Sequence, residues 1–457
     1  MSKLSLELVK QVFPQLPPSV STPIQGVSTD SRSLQPGEIF FAISGDRFDG
    51  HDFIQQAIDR GAAFCVSSKA KQRKADPKHC LTVNEPIDSL RELARAYRNT
   101  LEIEIIGVGG SNGKTTTKEL CAFLLSQLLG NESVFKTAKS ENSILGVALS
   151  LLRIKSERVA VIEIGIDEPG WMDRHLDLIQ PDYGIITSIS EEHLEKLNNI
   201  ERVAQEELKL LQYIEQRGRG FACNRDCSWV SKQVVRVQHL GYSLKAKAEI
   251  EGKYLPPNRL SAFGMEWLNP LPGAHNALNL LASLCLLRLL RPDLQKSELK
   301  GLVKSLTSFS GEAHRSRLLR FEPNLLVFDD SYNANPASMA AALESFSEVS
   351  EGYEKIAVLG DMRELGDRSQ EAHRALINRL SVGDLHKIFL IGPEMTKARS
   401  GLPKDSRIKV FDDIETLTNS LRQSITKNQS FLFKASRGLQ LEVCLKVFEN
   451  FKPKSSV

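Results

Sequence analysis

An apolar run, a polar or glycine-rich turn and a helical pattern follow one another again and again along this chain. Alternation of this kind is typical of parallel sheets whose strands are joined by crossover helices. The sequence therefore predicts an α/β fold, with strands at Gly37–Gly45, Leu101–Ile106, Arg158–Ile166, Asp182–Ile189, Leu325–Asp329, Ile356–Leu359, Ile388–Ile391 and Phe431–Phe433.

The length of the chain and a restart of this pattern predict three domains. The chain has 457 residues, and a domain holds roughly 150. Helical patterning at Ile87–Tyr97 closes the first region, and the strands restart after residue 313. We expect a smaller N-terminal α/β domain at 1–102, a central parallel sheet of the P-loop ATPase type at 103–312 and a Rossmann-like domain at 313–457.

Composition excludes several classes of protein. The 59 Lys and Arg residues against 56 Asp and Glu give a net charge of +3, which is too balanced for coating nucleic acid. No apolar stretch approaches the roughly 20 residues of a membrane-spanning helix, and the N-terminus lacks the apolar core of a signal peptide. Seven cysteines, a small and odd number, favour a reducing compartment. We therefore expect a cytoplasmic protein without a nucleic-acid partner or a membrane span.

The phosphate loop, GVGGSNGKTTT at residues 107–117, predicts a nucleotide site. It lies between a predicted strand and a predicted helix at Lys114–Leu129, which is the context that such a loop requires. Glycines let backbone N–H groups approach an anion, and the helix N-terminus adds partial positive charge. Lys114 can reach the outer phosphates, and the Thr115 hydroxyl can bind Mg²⁺. The strict pattern has glycine where this chain has Val108.

Two further polar side chains follow strands of the central region. Glu163 lies near the end of one predicted strand and His193 just beyond the next. Ligands of open parallel sheets bind outside the carboxyl ends of the strands. We therefore expect Lys114, Thr115, Glu163 and His193 to converge, with the carboxylate and the imidazole as magnesium ligands.

The third region repeats this geometry with three polar loops. They are the DSYNANP loop (Asp330–Pro336), the GDMRELG loop (Gly360–Gly366) and the KASR loop (Lys434–Arg437), and each follows a predicted strand. One such loop alone could be an Asx-rich turn. Three on one sheet edge predict a binding surface that faces the nucleotide across a cleft.

These motifs identify a family by resemblance. The chain resembles the Mur ligases over nearly its whole length. DSRSLQPGEIFFAISGDRFDG at 30–50 resembles the uridine-nucleotide domain of the family, GSNGKTT at 110–116 its phosphate loop, and GAHNALN at 273–279 its nucleotide-contacting helix start. DDSYNANPASM at 329–339, VLGDMRELG at 358–366 and KASR at 434–437 are specific to one branch.

The resemblance implies the chemistry of that branch, which extends a peptidoglycan precursor. The γ-phosphate of ATP passes to the C-terminal carboxylate of UDP-MurNAc-tripeptide and gives an acyl phosphate. The amine of D-alanyl-D-alanine then attacks, which forms the amide and releases phosphate. A carboxylate needs such activation, and cations must offset the repulsion between two anions. The implied cofactors are ATP and Mg²⁺, and we expect a monomer.

The resemblance also implies roles for individual residues. Phosphates of ATP would be held by Gly110, Ser111, Asn112, Gly113, Lys114, Thr115 and Thr116. Metal ligands would be Thr115, Glu163 and His193. Other ATP contacts would come from Asn276 and Asn279 on the adenine side, Arg315 at the γ-phosphate and Asp330 at the ribose. Substrate contacts would come from Ser31, Arg32, Asp49, Thr137, Asn142, Asn333, Asn335, Asp361, Lys434 and Ser436.

The chain departs from the family at three places. Members typically carry a lysine after the metal histidine, whose carbamate helps to hold a second magnesium ion, and ungapped alignment puts Glu207 there. We hypothesise that Glu207 supplies the carboxylate directly, as a fourth metal ligand, and Lys209 is the rival candidate. At 137–148 the family usually has a Gly-Asn pair and a proline, which this chain lacks. Ala435 stands where the family usually has glycine.

Three alternatives stay open. A folylpolyglutamate-synthetase-like ligase would share the ATP chemistry but would not need residues 1–100. A catalytically silent binding protein with the same fold would explain the departures, although it would need no magnesium residues. A P-loop switch or motor protein would leave the third domain unexplained.

Overall fold

The computed structural model describes residues 4–18, 20, 23–45, 48–74 and 77–454. Its strands are β1 (Gly26–Ser28), β2 (Glu38–Phe41), β3 (Phe64–Ser68), β4 (Cys80–Val83), β5 (Glu104–Gly109), β6 (Val134–Lys136), β7 (Val159–Glu163), β8 (Tyr183–Ile186), β9 (Gly220–Asn224), β10 (His239–Ser243), β11 (Ile250–Glu251), β12 (Lys253–Leu255), β13 (Arg259–Ala262), β14 (Met265–Leu268), β15 (Arg317–Phe321), β16 (Leu325–Asp329), β17 (Glu354–Gly360), β18 (Lys387–Ile391), β19 (Ile408–Phe411) and β20 (Gln429–Lys434).

The α-helices lie between these strands, as the crossover pattern predicts. They are α1 (Leu6–Val12), α2 (Ile54–Asp59), α3 (Pro86–Arg98), α4 (Lys114–Leu129), α5 (Ile144–Arg153), α6 (Trp171–Ile179), α7 (Leu194–Leu197), α8 (Ile200–Arg217), α9 (Ser228–Ser231), α10 (Ala274–Leu290), α11 (Lys296–Ser305), α12 (Pro336–Val349), α13 (Ser369–Val382), α14 (Pro393–Arg399) and α15 (Ile414–Ser424). A strand overlaps each predicted run, and the predicted α/β class is confirmed.

The chain divides into two compact units. The first consists of Met1–Gly107, Leu129–Ile166 and Gly170–Tyr183, and the second of Val108–Leu128, Asp167–Pro169 and Gly184–Val457. In the first unit β1 to β4 form a parallel sheet in chain order, and β6 pairs with β7 in parallel. In the second unit β9, β10 and β11 pair in parallel, while β12, β13 and β14 form an antiparallel sheet.

A six-stranded sheet in the second unit carries the three branch-specific loops. Its order is β15, β16, β20, β17, β18, β19, and every pair is parallel except β15 with β16. The central strands β16, β20 and β17 are neighbours, so their carboxyl ends lie at one edge. The DSYNANP, KASR and GDMRELG loops leave from that edge side by side, as predicted.

Both faces of this sheet are buried, as helices on both sides of a parallel sheet require. Successive residues of a strand point to opposite faces. Phe328 and Leu432 belong to the apolar cluster that includes residues of α12, α13 and α14. Phe431 and Phe433 belong to the opposite cluster, with residues of α15 and the 3₁₀ segment Leu441–Phe448.

Two findings bear on the classes excluded by composition. Within the described ranges, no helix combines the length and apolar character that a membrane span needs. All seven cysteines are buried free thiols, at positions 65, 80, 121, 223, 227, 285 and 444.

Candidate active site

The phosphate loop has the backbone conformation that only glycine adopts readily. Gly110 and Gly113 have φ angles of +113° and +89°, in the region that side chains rarely enter. Space is also closed, because a Cβ on Gly110 would collide with Thr187 and one on Gly113 with Asn279. Helix α4 begins at Lys114, so the predicted residues Lys114, Thr115 and Thr116 form its first turn.

Hydrogen bonds hold the loop against the segment that follows β8. Ser111 N–H donates to Ser188 O at 2.7 Å, and Asn112 N–H donates to the Ser188 hydroxyl at 3.0 Å. The Ser111 hydroxyl donates to Ser190 O at 3.1 Å. The Lys114 ammonium donates to Gly110 O across the loop. These contacts fix the loop to the segment that follows β8.

Glu207 reaches this loop from α8. Its side chain is fully buried, and its Oε2 accepts a hydrogen bond from Gly110 N–H at 2.7 Å. Among the described residues, Oε1 has no hydrogen-bond partner. Burial raises the pKa of Glu207 to about 8, against the opposing charge of Lys114. The rival residue Lys209 contacts Glu206 Oε1 at 2.6 Å, whereas Glu207 contacts the phosphate loop.

The segment Glu192–His193 adds a second carboxylate that sequence reasoning missed. Glu192 is buried, and its Oε1 lies 4.0 Å from Lys114 Nζ. His193 Nε2 lies 3.9 Å from Glu192 Oε2, while His193 Nδ1 lies 2.5 Å from Glu364 Oε2. Burial lowers the pKa of His193, but the hydrogen bond with Glu364 and the charge of Glu192 outweigh it and raise the pKa overall.

This donor set fits Mg²⁺ bound together with a nucleotide. In the part of the chain that the structure describes, no three His, Cys, Asp or Glu side chains enclose a point where an ion could sit. Mg²⁺ is usually held by one or two carboxylates plus substrate phosphates and water, not by a protein cage. Glu192 Oε1 and Glu207 Oε1 are both buried, and neither has a hydrogen-bond partner among the described residues. Oxygen ligands of this kind are the ones that Mg²⁺ prefers.

Glu163 belongs to the first unit, at the end of β7. Its Oε1 accepts from Asn142 Nδ2 at 2.8 Å, and its backbone N–H donates to Thr137 Oγ1 at 3.1 Å. Thr137 and Asn142 therefore contact Glu163, a role that was not predicted for them. The convergence of Glu163 with Lys114 stays a prediction.

The three N-terminal substrate candidates also lie in the first unit. The buried Ser31 hydroxyl donates to Gln56 Oε1 at 2.6 Å. Arg32 is exposed and forms a salt bridge with Asp30 at 2.7 Å. The Asp49 carboxylate forms hydrogen bonds with the side chains of Ser44, His51 and Lys71. Arg32 is thus the most available of the three for an external ligand.

The asparagines of the GAHNALN segment lie at the start of α10. Asn279 Oδ1 is 3.4 Å from Thr117 Oγ1 on α4, and Asn279 Nδ2 donates to Asn276 Oδ1 at 3.3 Å. Asn276 Nδ2 donates to Pro272 O at 2.8 Å. The pair is buried and holds the helix start against the first turns of α4, beside Gly113. Their contact with adenine stays a prediction.

The three loops of the six-stranded sheet are joined by side chains that the sequence singled out. Lys434 Nζ lies 2.6 Å from Asp330 Oδ2 and donates to Asn333 O at 2.9 Å. Ser436 N–H donates to Asp361 O at 3.0 Å. Lys434, Asp361 and Ser436 are buried. These buried residues link the three loops by hydrogen bonds and an ion pair. They therefore determine the conformation of the loops without being exposed on the surface themselves.

Arg315 lies beside the same edge, stacked on an aromatic ring. Its guanidinium carbon is 3.9 Å from the centroid of the Tyr332 ring, and that of Arg437 is 5.5 Å away. Ser316 N–H donates to Asp330 Oδ1 at 2.9 Å. The segment around Arg315 is therefore fixed to the DSYNANP loop, and two cations lie beside the Tyr332 ring. A contact between Arg315 and the γ-phosphate stays a prediction.

One hydrogen bond links the phosphate loop to the DSYNANP loop. Asn335 Nδ2 donates to Asn112 Oδ1 at 2.9 Å. Asn335 is also the N-cap of α12, where its Oδ1 accepts a hydrogen bond from Ser338 N–H at 2.8 Å. Two motifs more than 200 residues apart thus meet side chain to side chain.

Comparison with known proteins agrees with this geometry. Family models match residues 23–104 ("Mur ligase family, catalytic domain"), 108–287 ("Mur ligase middle domain") and 314–437 ("Mur ligase, glutamate ligase domain"). The UDP-N-acetylmuramoyl-tripeptide–D-alanyl-D-alanine ligase of Synechocystis sp. (strain PCC 6803) is 30% identical, over 92% of this chain and 90% of that protein. The chain belongs to the Mur ligase family.

Solved structures of Mur ligases resemble this one along nearly the whole chain. MurF from Acinetobacter baumannii superposes with a TM-score of 0.82 at 26% identity, over 97% of this chain and 98% of that one. MurF from Thermotoga maritima, solved in complex with ADP, gives a TM-score of 0.78 at 28% identity, over 93% and 97%. The resemblance read from the motifs is thereby confirmed.

Proposed function

We propose that this Mur ligase joins D-alanyl-D-alanine to UDP-MurNAc-tripeptide with hydrolysis of ATP, in the synthesis of peptidoglycan precursors. The observation that carries the proposal is the hydrogen bond from Asn335 to Asn112. It sets the branch-specific DSYNANP loop directly against the phosphate loop. The names of similar proteins support the same substrates, and the chemistry belongs in the cytoplasm, where ATP is made available.

The reaction has two steps, and the chain's residues have a part in each. A carboxylate oxygen of the tripeptide attacks the γ-phosphorus, and the bond to ADP breaks. Lys114, the loop N–H groups and Arg315 carry positive charge toward the phosphates, which lowers the repulsion between two anions. The dipeptide amine then attacks the acyl carbon, phosphate leaves and the amine loses a proton. The loops joined by Lys434 and Ser436 would hold the amine near the acyl phosphate.

The proposal includes Mg²⁺, which would neutralise charge on the transferring phosphate. Thr115, Glu163, His193 and Glu207 are the proposed ligands. The buried oxygen of Glu192 beside Lys114 supports its addition to that set. Glu207 then provides as a side chain the carboxylate that related enzymes obtain by carbamoylation of lysine.

The domain division and the oligomeric state belong to the same proposal. We assign domains at 1–102, 103–312 and 313–457, and the limits of the three family-model matches support this division. The chain would act as a monomer, so sedimentation should give a mass near 50.9 kDa. A mass twice as large would contradict that assignment.

Release of phosphate from ATP tests the function directly. The protein would be given Mg²⁺ and UDP-MurNAc-tripeptide, with and without D-alanyl-D-alanine, and the pentapeptide product would be measured by mass spectrometry. We expect release that requires both substrates and stops in Lys114→Met, whereas the exposed Lys409→Met retains it. ATP binding without release would favour the silent binding protein, and release with a glutamyl acceptor would favour the folylpolyglutamate-type ligase.

A further inference from the structure

The carboxylate that contacts His193 comes from the GDMRELG loop. His193 Nδ1 lies 2.5 Å from Glu364 Oε2. The two residues are 171 positions apart, one after β8 and the other after β17. A hydrogen bond between a ring N–H and an ionised carboxylate is charge-assisted, and bonds of this kind are stronger than those between neutral groups.

The backbone of both residues is held in an unfavourable conformation. His193 and Glu364 have φ angles of +51° and +65°, a region that residues other than glycine rarely adopt because it is energetically unfavourable for them. Such conformations persist where the surroundings determine them, and they cluster at functional sites. Here two residues with such a backbone conformation, His193 and Glu364, contact each other through their side chains.

Further hydrogen bonds fix the loop that presents Glu364. Met362 N–H donates to His373 Nε2 at 3.0 Å, and His373 Nδ1 lies 2.6 Å from Ser369 O. Arg363 N–H donates to the Ser436 hydroxyl at 2.8 Å. The carboxylate is therefore held at a defined place beside the His193 ring.

The contact determines which nitrogen of His193 can bind an ion. With Nδ1–H donated to Glu364, the lone pair of a neutral ring lies on Nε2. That atom points toward Glu192 Oε2 at 3.9 Å and Asp167 Oδ1 at 3.7 Å. Histidine ligands of metals almost always donate their other N–H to a carboxylate, a carbonyl or water, which fixes the ring orientation.

We propose that Glu364 is a positioning residue that holds His193 ready to bind a divalent cation through Nε2. The inference rests on the proposed role of His193 at the magnesium site. It also means that the metal site is complete only when the GDMRELG loop lies against the segment Glu192–His193. The branch-specific GDMRELG loop would thereby control the affinity of the ATP site for the metal ion.

A neighbouring ion pair supplies a matched control. Arg368 contacts Glu191, which joins the same two segments without touching His193. If Glu364 only docked one segment on the other, removal of Arg368 would have the same effect as removal of Glu364. If Glu364 orients the ring, only its own removal weakens metal binding.

The test is a titration of the full-length protein with Mn²⁺ in the presence of ADP, followed by electron paramagnetic resonance. We expect Glu364→Ala to weaken Mn²⁺ binding by about tenfold or more, and Arg368→Ala to leave it unchanged. Glu364→Gln keeps an oxygen that can accept from Nδ1–H, so it should restore much of the affinity. In ligase assays Glu364→Ala should need more Mg²⁺ for half-maximal rate and regain the maximal rate at saturation.

The results that would contradict the role of Glu364 are specific. Unchanged Mn²⁺ affinity in Glu364→Ala, or an equal loss in Arg368→Ala, would overturn the proposal. His193→Ala separates it from the proposed function: if that variant also binds Mn²⁺ normally, His193 is not a ligand and the proposed site itself is wrong. Because Glu364 is more than half exposed, its replacement should not unfold the protein, which a melting curve would check.

Discussion

At the scale of single residues, the most consequential one is Glu207. The carboxyl carbon of Glu207 lies about three bonds closer to the backbone than the carbamate carbon of a modified lysine would. A shorter side chain needs a closer helix to reach the same metal ion. The buried carboxylate accepts a hydrogen bond from Gly110 of the phosphate loop, so α8 brings it to the loop at which we propose that the nucleotide binds. A fixed carboxylate needs no reaction with carbon dioxide before the enzyme can work.

Activity should therefore be independent of carbon dioxide. In buffer stripped of carbon dioxide the wild-type enzyme should keep its full rate of phosphate release. Glu207→Gln should lose about tenfold or more, because the amide carries no charge for the metal ion, and added bicarbonate should not restore it. Lys209→Ala is the control and should retain activity. A wild-type rate that depends on bicarbonate, and that disappears in Lys209→Ala, would contradict the role of Glu207.

Burial of His175 predicts a loss of stability in acid. Burial lowers the pKa of His175 to about 4, against about 6.5 in an unfolded chain. Between these pH values the unfolded chain binds more protons, so the free energy of unfolding falls as pH decreases, by about 3 kcal/mol in total. Urea unfolding at pH 7 and pH 4.5 measures this. His175→Leu should lose less stability over the same range, and an equal loss in both proteins would exclude His175 as the cause.

At the scale of helices and strands, the sequence predicted which elements exist better than where they end. The bounds of α4 and β16 agree with the prediction, because glycine, lysine and a strand-ending aspartate mark them. The predicted strand at Leu101 instead begins at Glu104, because Leu101 N–H donates to Arg98 O and its carbonyl accepts from the Arg98 guanidinium. The Arg98 guanidinium also donates to the carbonyl groups of Ile179 and Gln180, far along the chain, and such long-range packing cannot be read from a local pattern.

The same limit applies to the site. The sequence predicted Lys114 and His193, because each lies in a polar segment that follows a strand. Glu192 and Glu364 were not predicted, although one precedes His193 in the sequence and the other lies in the GDMRELG loop, because nothing in their spacing shows that one is buried and that the other contacts His193. Packing of the GDMRELG loop on the segment Glu192–His193 brings the Glu364 carboxylate to the His193 ring.

The N-terminus of α12 allows its structural role to be separated from its functional one. Asn335→Ala removes both the helix cap and the contact with Asn112, whereas Asn335→Asp keeps the acceptor and loses only the amide donor. We expect the alanine variant to lose about 1 kcal/mol of stability and the aspartate variant to lose little. Both should lower ligase turnover, because both break the link to the phosphate loop.

Asp413→Ala is the matched control for that experiment. Asp413 caps α15 by accepting from Thr416 N–H at 2.7 Å, and no contact of that residue reaches the nucleotide segments in the described structure. It should lose about 1 kcal/mol in denaturant unfolding with turnover unchanged. Normal turnover in Asn335→Asp would show that the contact with Asn112 is incidental.

At the scale of the whole molecule, the two compact units are interleaved along the chain. Each consists of three separate segments, so neither can be expressed as one continuous fragment. The phosphate loop from Val108 onward, Glu192, His193 and Glu207 all belong to the second unit, with the three branch-specific loops. Glu163 belongs to the first unit, so a test of the proposed ligands uses the full-length chain.

Nucleotide binding should therefore stabilise the intact protein measurably. With Mg²⁺ and ADP at about 100 times the dissociation constant, the free energy of unfolding should rise by about 2.7 kcal/mol. Calorimetry would measure the shift in melting temperature, and hydrogen exchange should slow in α4. Lys114→Met should abolish the shift and Lys409→Met should retain it. A shift that survives in Lys114→Met would place the nucleotide elsewhere.

The contacts that link the DSYNANP, GDMRELG and KASR loops have a consequence for the evolution of this sequence. Asp330, Asp361, Lys434 and Ser436 share partners across three loops, so the effects of replacing them cannot add independently. A change in one would create selection for change in the others. The three loops should vary as one inherited unit, and a relative that has altered one of them should be found to have altered its partners as well.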